Sequence, residues 1–141
     1  MKKLRRCYVA GPYTHGDMLE NTNKAIEFGD KLFRAGFAPF VPHLVHYWVT
    51  DPPHTWWEWM DYCQAWLPTC EFLVRMPGIS KGGDIEVETA KRLGIPVYFS
   101  AEEAIEKESK RPVKPPELEP QMIKEGEIKP RKCLLSWLWR K

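Results

Sequence analysis

The sequence predicts an α/β domain, a mainly parallel sheet of four to five strands with helices layered on both of its faces. Two observations carry this expectation. Short runs of strand-forming residues alternate with helical segments in a β-α-β-α-β-α-β-α order, and the connections between them are short. Glycine and proline stand at the joints, where they stop one element before the next begins.

The elements follow in order. "LRRCYVAG" is an apolar, strand-forming run stopped by Gly11-Pro12. From Met18 to Ala35, Leu19, Ala25, Ile26, Leu32, Phe33 and Ala35 approximate helical spacing, and Gly36 supplies a left-handed stop. "FAPFVP" reads as the second strand. After a loop holding Asp51-Pro52-Pro53, Thr55 and Glu58 form a capping box for a helix from Trp56 to Leu67. "CEFLVRM" is the third strand, closed by Pro77-Gly78, and Asp84 to Leu93 form a helix ended by Gly94. "IPVYF" is the fourth strand. Ser100 and Glu103 form a second capping box, which opens a helix through Glu108.

At 141 residues the chain has room for one domain with a sizeable core. The domain is assigned to residues 1–109. Residues 110–132 hold five of the thirteen prolines and many charges, and read as an extended linker. Residues 133–141, "CLLSWLWRK", form an apolar tail with a basic end, expected to pack on the domain or on a partner subunit.

Composition excludes several classes. A formal charge of +2, with basic residues concentrated at the two ends, does not favour a nucleic-acid polymer as partner. No apolar run approaches a membrane span and no leader is evident, so neither a membrane nor export is expected. The four cysteines show no paired motif, and Cys7 and Cys70 fall in apolar strand-like runs, which fits a reducing cytoplasm.

In parallel sheets of this kind, ligands bind outside the carboxyl ends of the strands. Three segments therefore wall the expected site: "GPYTHGD", "PHLVHYW" and "PGISKGGDIE". Glu86, in the first turn of the third predicted helix, would be held ionised by the helix dipole and available as a nucleophile. Asp84 and Glu88 read as ordinary helix-start acids, since residues 84, 86 and 88 cannot share one helical face. Gly82 and Gly83 permit a tight turn that brings backbone close to a ligand, but no P-loop or dinucleotide fingerprint is present. Gly11 allows a sharp exit from the first strand, so Tyr13 and Thr14 present hydroxyls to the cleft. His43 and His46 lack a third ligand at metal-binding spacing, so no metal is expected and hydrogen bonding or stacking on a planar ligand is preferred. Five of seven tryptophans fall between Trp48 and Trp66. Trp56, Trp59, Cys63 and Trp66 share one helical face, and Trp57 and Asp61 share another.

With these residues placed, the chain resembles the nucleoside 2-deoxyribosyltransferase-like superfamily. That group includes deoxynucleoside 5′-monophosphate N-glycosidases and small phage and bacterial proteins. The likeness rests on "YVAGPYT", "ENTNKAIEFGDKLFRAG", "PHL" and "CEFLVRMPGISKGGDIEVETAKRLGIPVYF", and covers roughly residues 4 to 105. It implies a Rossmann-like (flavodoxin-like) three-layer sandwich, and a glutamate, here Glu86, that attacks the anomeric carbon and expels the base. It also implies that Tyr13 orients this group and that Ser80 and Gly82 approach the sugar or phosphate; Gly11, Pro12, Thr14, His43 and Gly83, from the loops that wall the cleft, complete the expected ligand-binding set. No cofactor is implied, and the assembly expected is a homo-oligomer, a dimer or tetramer. The enzymes carry an aspartate eight positions before an acid at the start of the third strand, and that position here is Cys63. Asp61 is the nearby acid that would take this acid/base role and protonate the base, although two residues rotate it well around the axis. The expectation is therefore a nucleoside- or nucleotide-binding protein with N-glycosidic cleavage or deoxyribosyl transfer as its leading activity. The alternative is a non-catalytic binder that sequesters a nucleotide-derived signal such as a cyclic ADP-ribose-like molecule, as some phage members of the superfamily do.

Overall fold

The computed structural model describes residues 3–112. The rest of the expected linker and the whole expected tail lie outside the described residues. Four strands, β1 (Arg5–Ala10), β2 (Phe37–Phe40), β3 (Phe72–Arg75) and β4 (Val97–Tyr98), pair in the order β2-β1-β3-β4, and every pairing is parallel. Four α-helices connect or follow them: α1 (Met18–Arg34), α2 (Trp56–Trp66), α3 (Lys81–Arg92) and α4 (Ala101–Ser109). The result is the three-layer α/β sandwich expected from the alternation, Rossmann-like in kind.

The strands' two-residue periodicity divides the core. Cys7, Val9, Phe72 and Val74 face α1 and α4, meeting Ala25, Leu32, Ala101 and Ala104. Tyr8, Ala10 and Leu73 point to the other face, against Cys63 of α2 and Ala90 of α3. All of these strand residues are fully buried, which explains why the strands read as continuous apolar runs. Tyr8 alone among them carries a polar end into the dry layer.

Helix ends follow their caps. Asp17 accepts from Glu20 N at the start of α1, and Gly36, at φ 91, ends the turn beyond it. Thr55 and Glu58 make the reciprocal box of α2. At α4 only half of the expected box forms. Ser100 accepts from Glu103 N, while the Glu103 carboxylate turns to Lys107 at 2.7 Å.

The third helix corrects the sequence expectation. It begins at Lys81, not near Asp84, because Ser80 caps it by accepting from Gly83 N at 3.0 Å. Gly82 and Gly83 are thus helical residues of the first turn, not a loop. Glu86 moves correspondingly into the second turn, beyond the strongest reach of the helix dipole.

Far from the strands' carboxyl ends, Arg5 ties α4 to the sheet. Its guanidinium bonds Glu71 at 2.9 Å, the Glu108 carbonyl at 2.7 Å and the Glu108 carboxylate. Tyr98 also donates to that carboxylate, which is 1% exposed. Among the described residues, no helix is long and apolar enough to cross a membrane.

Candidate functional site

The strand order places a crevice outside the carboxyl ends of β1 and β3, where the chain's connections diverge to opposite faces. Two interlocked turns shape it. Met76 N donates to Ala10 O at 2.7 Å, which brings the exits of the two strands together. A side chain at Gly11 would meet Met76 Cβ at 2.9 Å, so only glycine fits. Gly78, at φ 110, packs its α-carbon under the Pro12 ring, where a Cβ would stand 2.8 Å from Pro12 Cγ. Arg75 braces the second turn. It donates to the Met76 carbonyl, to the Gly78 carbonyl at 2.9 Å and to Asp84 at 3.0 Å. Asp84, expected as a helix-start acid, therefore holds this arginine, and Glu88 is exposed.

The loop after β1 is held from the other side. The side-chain amide of Asn21, early in α1, donates to the carbonyls of Tyr13 and His15 at 3.0 and 2.8 Å. Ser80 Oγ donates to Gly11 O at 2.9 Å while capping α3, so a single hydroxyl joins the first loop to the third helix.

These elements line a cleft that opens to solvent. Gly11, Tyr13 and Thr14 come from the first loop, and His43 from the 3-10 turn Pro42–Tyr47 after β2. Ser80, Gly82, Gly83 and Glu86 come from the start of α3. Trp56, Trp59 and Cys63, three of the four residues expected on one helical face, form the α2 wall together with Met60. Pro12 contributes its carbonyl to His43. Asp61 does not join the site: it is exposed on α2 and does not line the cleft. Two residues separate it from Cys63, enough to turn it toward solvent. The position on α2 that reaches the cleft floor beside Glu86 is the cysteine. Trp66, expected on the same face, instead stacks on Phe40.

At the floor, Tyr8 Oη donates to Glu86 Oε1 at 2.6 Å. Tyr8 is fully buried and Glu86 is 6% exposed. Burial pushes the Glu86 carboxyl up to about 7, against the opposing pull of the Tyr8 hydrogen bond and the Arg75 charge. This reverses the expectation of a carboxylate kept ionised by a helix terminus. The Tyr8 hydroxyl is pushed upward by burial and then by the Glu86 charge, so it is a proton donor at neutral pH. Burial and the Glu86 charge push the Cys63 thiol up to about 12, the Tyr8 hydroxyl opposing them. Cys63 is therefore a protonated thiol here, not a nucleophile.

Tyr8 is the partner of Glu86 that the sequence reading missed. Inside a run of strand formers it is indistinguishable from core. The available signal was physical: a tyrosine hydroxyl in a dry layer must find a partner.

The upper wall is aromatic. Tyr13 Oη lies 3.3 Å from His46 Nδ1, and its ring meets the His43 and His46 rings edge-on. Lys81 Nζ stands 5.6 Å above the Trp56 ring at the mouth. Among the described residues, no group of three His, Cys, Asp or Glu side chains gathers where it could hold a metal ion.

The chain belongs to the family described as a domain of unknown function (DUF7768), whose model matches residues 5–100. No curated protein matches it.

Proposed function

We propose that the cleft binds a nucleoside or nucleotide and that Glu86 attacks the anomeric carbon of its sugar. The observation that carries this reading is the Glu86 carboxyl, buried on the cleft floor and fixed by Tyr8 at 2.6 Å. A carboxylate with a pKa near 7 is poised to cycle between charged and bonded forms at neutral pH. With Oε1 held by Tyr8, Oε2 forms the bond to C1′ as the C1′–N bond breaks. The bond pair leaves on the base nitrogen, which takes a proton from solvent. Water then attacks C1′ and releases the sugar, or a second base does so and completes a transfer. Trp56, Trp59 and Met60 offer a flat apolar wall for the base.

A second reading is favoured by one observation. The α2 position facing Glu86 is Cys63, whose thiol is too weak an acid to protonate a leaving base, and Asp61 faces away. A site without that acid suits retention of a nucleotide-derived ligand without turnover, a sequestering role. The exposed side chains of Leu44, Tyr47, Trp48, Val49 and Trp57 support assembly into a homo-oligomer under either reading.

Incubation with 2′-deoxynucleosides and their 5′-monophosphates, followed by chromatography for free base, separates the two. Base released by the parent chain and not by Glu86→Gln supports catalysis. A raised melting temperature without release supports sequestration. If neither effect is seen, the proposal is refuted.

A further inference from the structure

The histidine in the cleft wall has an unmet bonding demand. His43 is 3% exposed and lines the cleft. Its Nε2 lies 2.8 Å from the Pro12 carbonyl oxygen. A carbonyl can only accept, so the proton of the neutral ring is on Nε2, and Nδ1 is left as a bare acceptor. That Nδ1 is buried and has no hydrogen-bond partner among the described residues. A second proton on the ring is opposed by burial, which lowers the His43 pKa against the pull of the Pro12 and Gly11 carbonyls. An orphaned buried acceptor is costly to keep and calls for a donor from whatever fills the site.

The rest of the lining is equally one-sided in charge. No lysine or arginine lines the cleft among the described residues. Arg75 is committed to Asp84 and to two carbonyls, and Lys81 stands at the mouth, over the Trp56 ring, and does not line the interior. The Ser80 hydroxyl already occupies the Gly83 amide at the start of α3. The ionisable group on the floor is an acid, Glu86. A phosphate dianion inside the cleft would face that acid, with its nearest cation, Lys81, only at the mouth. Hydroxyl and N–H groups would meet acceptors.

We propose that His43 sets specificity: its buried Nδ1 accepts a hydrogen bond from a hydroxyl or N–H of an uncharged nucleoside, and the cleft discriminates against the 5′-phosphorylated form. This rests on the nucleoside or nucleotide reading of the same cleft and chooses between its branches. The donor sits on the ligand, the base stacks along Trp56 and Trp59, and the sugar lies toward Glu86.

The test is calorimetric titration of the full chain, with Glu86 kept, using carbon-linked 2′-deoxynucleosides, whose bond to the base cannot be cleaved, and the matching 5′-monophosphates. The nucleoside is expected to bind at least tenfold more tightly than its monophosphate. Adding His43→Phe should weaken nucleoside binding about tenfold or more and narrow that preference. His43→Gln should recover part of the loss, since its amide can donate to Pro12 and its carbonyl can still accept. If His43→Phe does not fold, the His43→Gln variant and the ligand preference of the parent decide. The ¹⁵N resonance of His43 Nδ1 should move on nucleoside addition, a change that a purely structural histidine would not show. A monophosphate that binds as tightly as the nucleoside overturns the inference and leaves the nucleotide reading standing. Unchanged affinity in His43→Phe overturns it too. If neither compound binds, both the inference and the reading beneath it fail.

Discussion

The hydroxyl of Tyr8 on the first strand reaches Glu86 on the third helix, 78 positions along the chain, and bonds it at 2.6 Å in a region closed to bulk water. Stability should record this pair. An unfolded glutamate titrates near 4.3, whereas folded Glu86 titrates near 7, so between those values the folded state holds the extra proton. Stability from this group is therefore full below the lower value and falls as pH rises through the upper one. The loss is on the order of a few kcal/mol. His43, whose pKa is lowered, acts in the opposite direction over part of the window. Urea unfolding of the parent and of Glu86→Gln, compared from pH 4.5 to 8, isolates the glutamate. The parent's stability should drop relative to the variant, and parallel curves would disprove the assignment.

Tyr8→Phe removes the hydrogen bond that favours the charged carboxylate. The Glu86 midpoint should rise further, and any base release should reach its plateau at higher pH than in the parent. The lost bond should cost about 1–3 kcal/mol where Glu86 is ionised, and less where it is protonated. A carbon-13 titration of labelled glutamate reads the midpoint directly.

The two glycines of α3 should respond oppositely to alanine. At Gly83 a Cβ would stand 3.0 Å from Arg75 Nε and 3.1 Å from Ser80 Oγ, both held by several bonds. Gly83→Ala should therefore destabilise by about 1–3 kcal/mol despite alanine's better helix propensity. At Gly82 the nearest atom is Met60 Sδ at 3.4 Å, an ordinary contact. Gly82→Ala should match or exceed the parent's stability by up to about 1 kcal/mol, while narrowing the cleft and weakening ligand binding. Thermal unfolding with and without nucleoside checks both.

Cys63→Asp places a second carboxyl beside the first. Like charges so close cannot both ionise at little cost, so the Glu86 midpoint should move up. If Cys63 stands where the leaving base needs its acid, this variant should release base faster than the parent. Chromatography under the same incubation measures it.

Much of this site was legible beforehand because backbone grammar fixes it. Gly11-Pro12, Pro77-Gly78 and the alternation of strands and helices bring three loops to one sheet edge, and Glu86 follows from them. What escaped depended on side chains meeting across distant segments. Nothing local marks Tyr8 as Glu86's partner, or Arg75 as the brace for Asp84. The start of α3 was misplaced because glycine pairs ordinarily signal turns. Here their missing side chains let the first helical turn lie against Arg75 and Met60. Asp61 attracted attention by its charge, but helical phase turns Cys63 to the cleft instead.

The salt-bridged anchor between Arg5 and Glu108 also bears on where the folding unit ends. The family match begins at Arg5 and stops at residue 100, before Glu108, the second of the two carboxylates paired with that arginine. A polypeptide cut at the family boundary would keep the Arg5–Glu71 contact but lose Glu108, along with Ala101 and Ala104 from the core. The cut would also remove the Tyr98–Glu108 hydrogen bond and uncover the sheet face that α4 covers, including Phe72 and Tyr98. The packed unit therefore runs through α4 to Ser109, beyond the border that sequence similarity alone marks.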